Sequence, residues 1–337
     1  MTKRLDRKNS AGNARATAWE LGLVLLLFGT VPGAGANPAL GGVGSAGPGP
    51  LVQVLVSPGQ AGYEEALRGF RHRLKEQLGP EGERYRLHVQ VLESDKPALV
   101  ELPELDEVRL IFSLGTPATL AARRLAGKRP VVFSMIADPV ADGIYEPGRR
   151  LRLTGVTSEL SLEDQLEALT QVLPRARRIG VLHHTLDTVI LERVREDAEE
   201  RELELVSVAV DSNDQVLGAL EQLNSQIDVL WTFGRLLRRS PSLAQFLILH
   251  SLRNQLPLMG LSPDQVERGA LFCAYATPDD IGRQSADVVQ DLLSGKNVAE
   301  LPPQTPQVTR IALNLRAADA IGQAIPREIR RLAAPVF

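Results

Sequence analysis

Two uninterrupted strand-like runs with one helix between them constrain this chain more than any other feature. In residues 109–143, RLIFSLGTPATLAARRLAGKRPVVFSMIADPVADG, the run from Leu110 to Leu114 stops at Gly115-Thr116-Pro117. Ala118, Leu120, Ala121, Ala122 and Leu125 then recur at helical spacing, and a second run, Val131 to Ile136, stops at Ala137-Asp138-Pro139. Strands that do not alternate are covered on both faces, and a helix between two of them makes them parallel neighbours. Parallel sheets hold ligands outside the carboxyl ends of their strands. The small-residue turn and the acidic turn therefore fall side by side on one rim, and that rim is where function is expected.

The same alternation runs through most of the chain. Strand patterns at 51–56, 86–92, 178–182, 203–210, 227–233, 257–260 and 269–276 alternate with helical patterns at 62–78, 161–173, 188–201, 213–224, 242–255 and 278–293. Residues 151–158, LRLTGVTS, carry no helix of their own and read as a crossover, and a last helix is expected at 316–323. The pattern predicts an α/β protein with two Rossmann-like, doubly wound parallel-sheet lobes joined by a multi-crossover hinge. The first lobe spans 51–156 and takes back about 277–305; the second spans 157–276 and takes back about 306–337. Such a hinge closes over a ligand held between the two carboxyl rims.

The amino-terminal end reads as a targeting segment. Lys3, Arg4, Arg7, Lys8 and Arg15 form a basic region, Leu21 to Phe28 an apolar one, and Ala34-Gly35-Ala36 a small-residue cleavage site. The apolar stretch is short for a permanent membrane span. Residues 1–36 are thus expected to be a signal peptide and 37–50 a Gly/Pro-rich leader, giving a periplasmic or extracytoplasmic protein. Within that leader, Gly42-Val43-Gly44-Ser45-Ala46-Gly47 matches GxGxxG in letters only, because it precedes the first strand instead of coming after one. Loss of residues 1–36, with five basic and two acidic side chains, moves the formal charge from −3 to −6. That balance excludes nucleic acid as a natural partner. A single cysteine, Cys273, leaves no internal disulfide and reads as a buried, inert thiol.

The runs SLGTPATLAA, RPVVFSMIADPVADG, LTGVTSELS, LPRARRIGVLHH, LPLMG with GALFCAYA, DDIGRQSADVVQDLLSGKNVAELPPQTP and IALNLRAADAIGQAIP, in that order, resemble the ABC-transporter substrate-binding proteins of the tryptophan/tyrosine-type family. The resemblance covers about residues 51–330. It implies a non-catalytic, extracytoplasmic protein that captures a small organic ligand, an amino acid or a carboxylate-like solute, and delivers it to a membrane ABC permease. A periplasmic sensory module for a membrane receptor is the alternative. His183-His184-Thr185, Thr232-Phe233-Gly234-Arg235 and Ser57-Pro58-Gly59-Gln60 depart from the turns common in that family.

The candidate ligand contacts sit at strand ends. Gly115, Thr116 and Pro117 let a ligand approach a helix amino terminus, whose free N–H groups favour an anion; Thr116 alternatively only caps that helix, with Pro117 at its first position. Asp138, with Pro139 beside it, binds an amine or else closes its own turn. One imidazole of His183-His184 can hydrogen-bond a ligand, whereas adjacent residues on an extended strand point apart and do not chelate a metal. Arg235, next to Gly234, has the planar fork that suits an acid. Tyr275 stacks on a ligand or fills the hinge core, and Ser57 and Thr157 complete the rim. The Glu/Arg-rich helix at 191–204 reads as a solvated face. No nucleophile elbow, phosphate loop or zinc helix is present in context, so no enzyme, cofactor or metal is expected, and the chain is expected to act as a monomer.

Overall fold

The computed structural model describes residues 49–59, 61–78, 85–93, 107–149, 152–232 and 241–337. The signal-peptide reading, nearly all of the leader, and the candidate contacts Gly234 and Arg235 lie outside the described residues.

The first sheet has strands β1 (Leu51–Val56), β2 (Arg86–Val91), β3 (Val108–Leu114), β4 (Val131–Ile136) and β5 (Leu153–Thr157), all parallel, in the order β2-β1-β3-β4-β5. Every residue of β1 is buried, as its unbroken apolar run requires. Helices α1 (Ala61–Leu78) and α2 (Thr116–Leu125) cover opposite faces. On one side Phe70 of α1 stacks on Phe112 of β3, with ring centroids 4.0 Å apart. On the other, Ala118, Ala121 and Ala122 of α2 pack against Leu55, Ile111 and Phe133.

The second sheet holds β6 (Arg178–His183), β7 (Glu204–Ala209), β8 (Val229–Trp231), β9 (Leu258–Met259), β10 (Phe272–Tyr275) and β11 (Arg310–Leu313), in the order β11-β10-β9-β8-β6-β7. Its strands are parallel except β11, which pairs antiparallel with β10. Helices α3 (Leu162–Val172) and α4 (Thr188–Glu199) share one face with Trp231 and Phe272; α5 (Val216–Asn224) and α6 (Pro241–Arg253) cover the other. The short helix α7 (Pro263–Glu267) precedes β10. Helix α8 (Pro278–Leu293) then returns to the first sheet and lies along α1. Helices α9 (Leu315–Ala320) and α10 (Arg327–Leu332) end the chain on the second core.

Two expectations are corrected. Residues 151–158 are not a plain crossover: Leu153–Thr157 is the edge strand β5, paired parallel with β4. The loop before it has no helix, so the usual strand–helix–strand signal is missing. The helix at 315–320 is also not the last, because Pro326 opens α10. Cys273 is fully buried, and burial pushes its thiol up to about 12, which keeps it protonated and inert.

The chain passes between the sheets three times: from β5 into α3, from β10 into α8, and from Gln304 to β11. Gln304 pairs with β5 through Thr157 N–H to Gln304 O and Gln304 N–H to Gly155 O, both 2.9 Å. Two side chains of α8 tie these passages together. Gln284 donates to Gln304 Oε1 and Thr305 O and accepts from Gln307 N–H. Asp280 accepts both arms of Arg310, Nε at 2.7 Å and the outer nitrogen at 2.9 Å, while forming a capping box with Thr277.

Burial alone raises the Asp280 carboxyl, but the Arg310 fork and Thr277 outweigh it and hold it below the usual carboxylate range. A depressed folded pKa gives stability that is present at neutral pH and lost as pH falls through the acid range. Asp280→Asn is expected to cost about 1–3 kcal/mol at pH 7, and progressively less as pH falls below the ordinary carboxylate range. Urea unfolding of both proteins across that range checks this.

Candidate functional site

In both sheets the winding reverses next to the first strand, between β1 and β3 and between β6 and β8. At the first of these points the chain has filled its own rim. The Ser57 hydroxyl accepts the N–H of Ala118, 2.9 Å away, and so satisfies a free donor of α2. Gly115 is the residue before α2 and has φ +85°; a Cβ there would meet Tyr63 Cζ at 2.6 Å and Ser57 Oγ at 2.8 Å. Only glycine fits this turn. Thr116 does not cap the helix. It is the first helical residue, with Pro117 second, and its hydroxyl donates to Asp142 Oδ2 at 2.8 Å.

On the second rim, His183 Nδ1 lies 3.0 Å from the carbonyl of His184, so Nδ1 carries the hydrogen and donates. His184 Nε2 lies 3.6 Å from Asp211. The Thr185 N–H and hydroxyl both donate to Asp211 and hold its carboxyl below the usual range. This turn is knotted by its own hydrogen bonds. Among the described residues no group of three or more His, Cys, Asp or Glu is placed to hold a metal.

A cavity of about 280 Å³ opens instead where the crossovers run, at the far ends of the two rims. Its wall takes Ala137 and Asp138 from the end of β4, Thr157 to Leu160 from the first crossover, and Leu162 and Gln165 from α3. Ile190 and Arg193 of α4, Leu261 after β9, Ala274 and Tyr275 of β10, and Thr305 of the third crossover complete it. Its volume is near the lower end of small-molecule pockets, roughly 300 Å³. Two larger concavities lie at the amino-terminal ends of the strands, lined by residues such as Leu51, Arg86 and Arg109 or Ala176, Asp228 and Gln323. Sheets of this kind do not bind ligands at those ends.

Three sequence candidates, Asp138, Thr157 and Tyr275, thus meet in one cavity although they lie on three separate stretches of chain. Asp138 also closes its turn, its Oδ1 accepting the Ala141 N–H at 2.9 Å. Buried Pro139 next to it supports the same loop, its carbonyl accepting from Ile144 and Tyr145. The Thr157 hydroxyl donates to the Glu159 carbonyl, and the Tyr275 hydroxyl donates to the Ala334 carbonyl at 2.6 Å, which leaves its ring as the wall. Ser57, Gly115, Thr116, Pro117 and His183 do not line this cavity.

The approach to Asp138 is shaped by a backbone irregularity. Met135 has φ +60°, a left-handed conformation unusual for a side chain of its size, at a register shift between Ser134 and Ile136. Such bulges turn the end of a strand and re-aim the residues beyond it. Sequence reasoning missed Glu159, Gln165 and Arg193. Gln165 is buried and fixed twice, by Trp231 Nε1 donating to its Oε1 at 3.3 Å and by its own amide donating to Leu160 O. A Gln a few residues after Ser161 and next to an apolar helix face is ordinary in sequence, and no pattern marks it.

The model of a family described as ABC transporter substrate binding protein matches residues 52–337. The chain is 24% identical over 271 residues to a tyrosine-binding protein of Clostridioides difficile (strain R20291), covering 76% of this chain and 77% of that one. Its fold is similar to the ligand-free, open structure of a substrate-binding protein with adhesive properties from Clostridium difficile, with TM-score 0.66 and 21% identity over 86% of this chain and 99% of the other. It is also similar to an ABC domain in complex with L-Trp from Streptococcus pneumonia, with TM-score 0.55 and 17% identity over 86% of this chain and all of the other. No helix among the described residues is long and apolar enough to cross a membrane.

Proposed function

The chain belongs to the ABC transporter substrate-binding protein family, and we propose that it captures an amino acid or a similar small carboxylate in the crossover cavity and delivers it to a membrane permease outside the cytoplasm. It is a substrate-binding protein for ABC transport and not an enzyme. The observation that carries the ligand reading is the cavity wall. It brings an aromatic face, Tyr275, an acid, Asp138, and a hydroxyl, Thr157, together from both sheets and all three crossovers. An apolar body with a charged head fits such a wall better than a sugar, which would need more hydrogen-bonding groups. The tyrosine-binding relative and the L-Trp complex support an amino acid.

The hinge gives capture its physics. Closing the two rims removes water from the cavity and strengthens each polar contact inside it. The first 36 residues, read as a signal peptide, support an extracytoplasmic location.

A thermal-shift screen of the protein with amino acids, small carboxylates, sugars and purines tests this reading. A ligand at 100 times its dissociation constant adds about 2.7 kcal/mol of stability. A shift confined to amino acids or carboxylates is expected. A shift with sugars or purines alone would contradict the ligand class.

A further inference from the structure

We propose that Arg193 is the anion anchor of the cavity, the group that holds the carboxylate of the captured solute. This rests on the crossover cavity being the solute site.

Arg193 lies in the second turn of α4, one turn beyond Ile190, and both border the cavity. Its helix is rich in acids, and Glu196 and Asp197 stand three and four residues on, within reach of an ordinary helical ion pair. Neighbouring cations are paired: Arg195 with Glu192 of its own helix at 2.8 Å, and Arg201 with Glu163 of α3 at 3.3 Å. Arg193 is not. Among the described residues it makes no hydrogen bond and no ion pair.

The reason is directional. Side chains on a helix lean toward its amino terminus. The amino terminus of α4 comes after β6 and so stands on the carboxyl rim of the second sheet. An Arg193 side chain that follows this lean runs toward the rim and away from the acids behind it. Arg193 and Glu159 border the same cavity.

The guanidinium is exposed, so it keeps its water until something replaces it. Its planar fork matches a carboxylate with two parallel hydrogen bonds, which a point charge cannot make. Asp138 and Glu159 give the wall the opposite sign. A solute with an acid and an amine satisfies both, with its body against Leu162, Ile190 and Tyr275.

The test measures affinities of the wild-type protein and Arg193→Gln by calorimetry for the standard amino acids and benzoate, each beside its primary amide. The expected result is an acid that binds at least about tenfold tighter than its amide to the wild type. Arg193→Gln then loses at least that factor for the acid and nothing for the amide, and Arg193→Lys recovers part of it. Unchanged thermal midpoints without ligand show that the fold is intact. Full acid affinity in Arg193→Gln, or equal losses for acid and amide, overturns the anchor. Wild-type binding of amides but no acid overturns the anchor and leaves a solute-binding protein. Wild-type binding of nothing in the series overturns the anchor together with the ligand class it rests on.

Discussion

Replacing Gly282 by alanine is expected to destabilise the protein by about 2–4 kcal/mol, although alanine is the better helix former by about 1 kcal/mol. The cause is a backbone-to-backbone contact. Helices α1 and α8 approach through a reciprocal pair of glycines. A Cβ on Gly282 would lie 2.7 Å from the carbonyl carbon of Ala66 and 3.0 Å from its Cα. A Cβ on Gly69 would lie 2.9 Å from Asp279 Cα. No side chain can rotate away to make room, so the helices must separate. Separation also moves Asp280 and Gln284, which hold the third crossover, so ligand affinity falls with stability. Gly218→Ala is the control. It sits in α5 with nothing within 4 Å of its Cβ position and is expected to stabilise by about 0.5–1 kcal/mol. Urea unfolding of the two variants gives opposite signs if the contact is what matters, and the same sign if it is not.

Trp231→Ala is expected to cost about 3–5 kcal/mol. Trp231 is fully buried at the end of β8 in a core with Val181, Met259 and Phe272. Truncation opens a large void there and strips Gln165 of the donor that fixes its Oε1. Trp231→Phe separates the two effects. It keeps most of the packing, loses the N–H, and is expected to cost about 1–3 kcal/mol. Because Gln165 lines the cavity, this variant is also expected to bind the ligand several-fold more weakly than its stability loss alone accounts for. Chemical unfolding and calorimetric titration on the same samples resolve the two.

Much of the fold was legible because buried parallel strands leave a plain trace: LVQVLV and VVFSMI are almost wholly apolar and end in turn residues. β5 was not legible, since its neighbour strand is reached through a polar loop with no helix to announce it. The α1–α8 glycine contact was invisible for a different reason, as it joins residues more than 200 positions apart and leaves no periodicity. Asp138, Thr157 and Tyr275 were legible as strand-end residues. Arg193 was not, because an Arg among glutamates on a helix reads as one more solvated pair. Its place on the cavity wall distinguishes it. Ser57 and Gly115 show the reverse: residue types that suit a ligand turn serve to close the rim on itself.

The crossover cavity as the solute site is tested most directly by calorimetric titration of the wild-type protein and Tyr275→Ala. The titrant is the amino acid or carboxylate that the thermal screen selects. One site per chain is expected in the wild type, with a loss of at least about tenfold in affinity when the Tyr275 ring is removed. Undiminished binding in Tyr275→Ala would contradict the crossover cavity as the place where the solute is held.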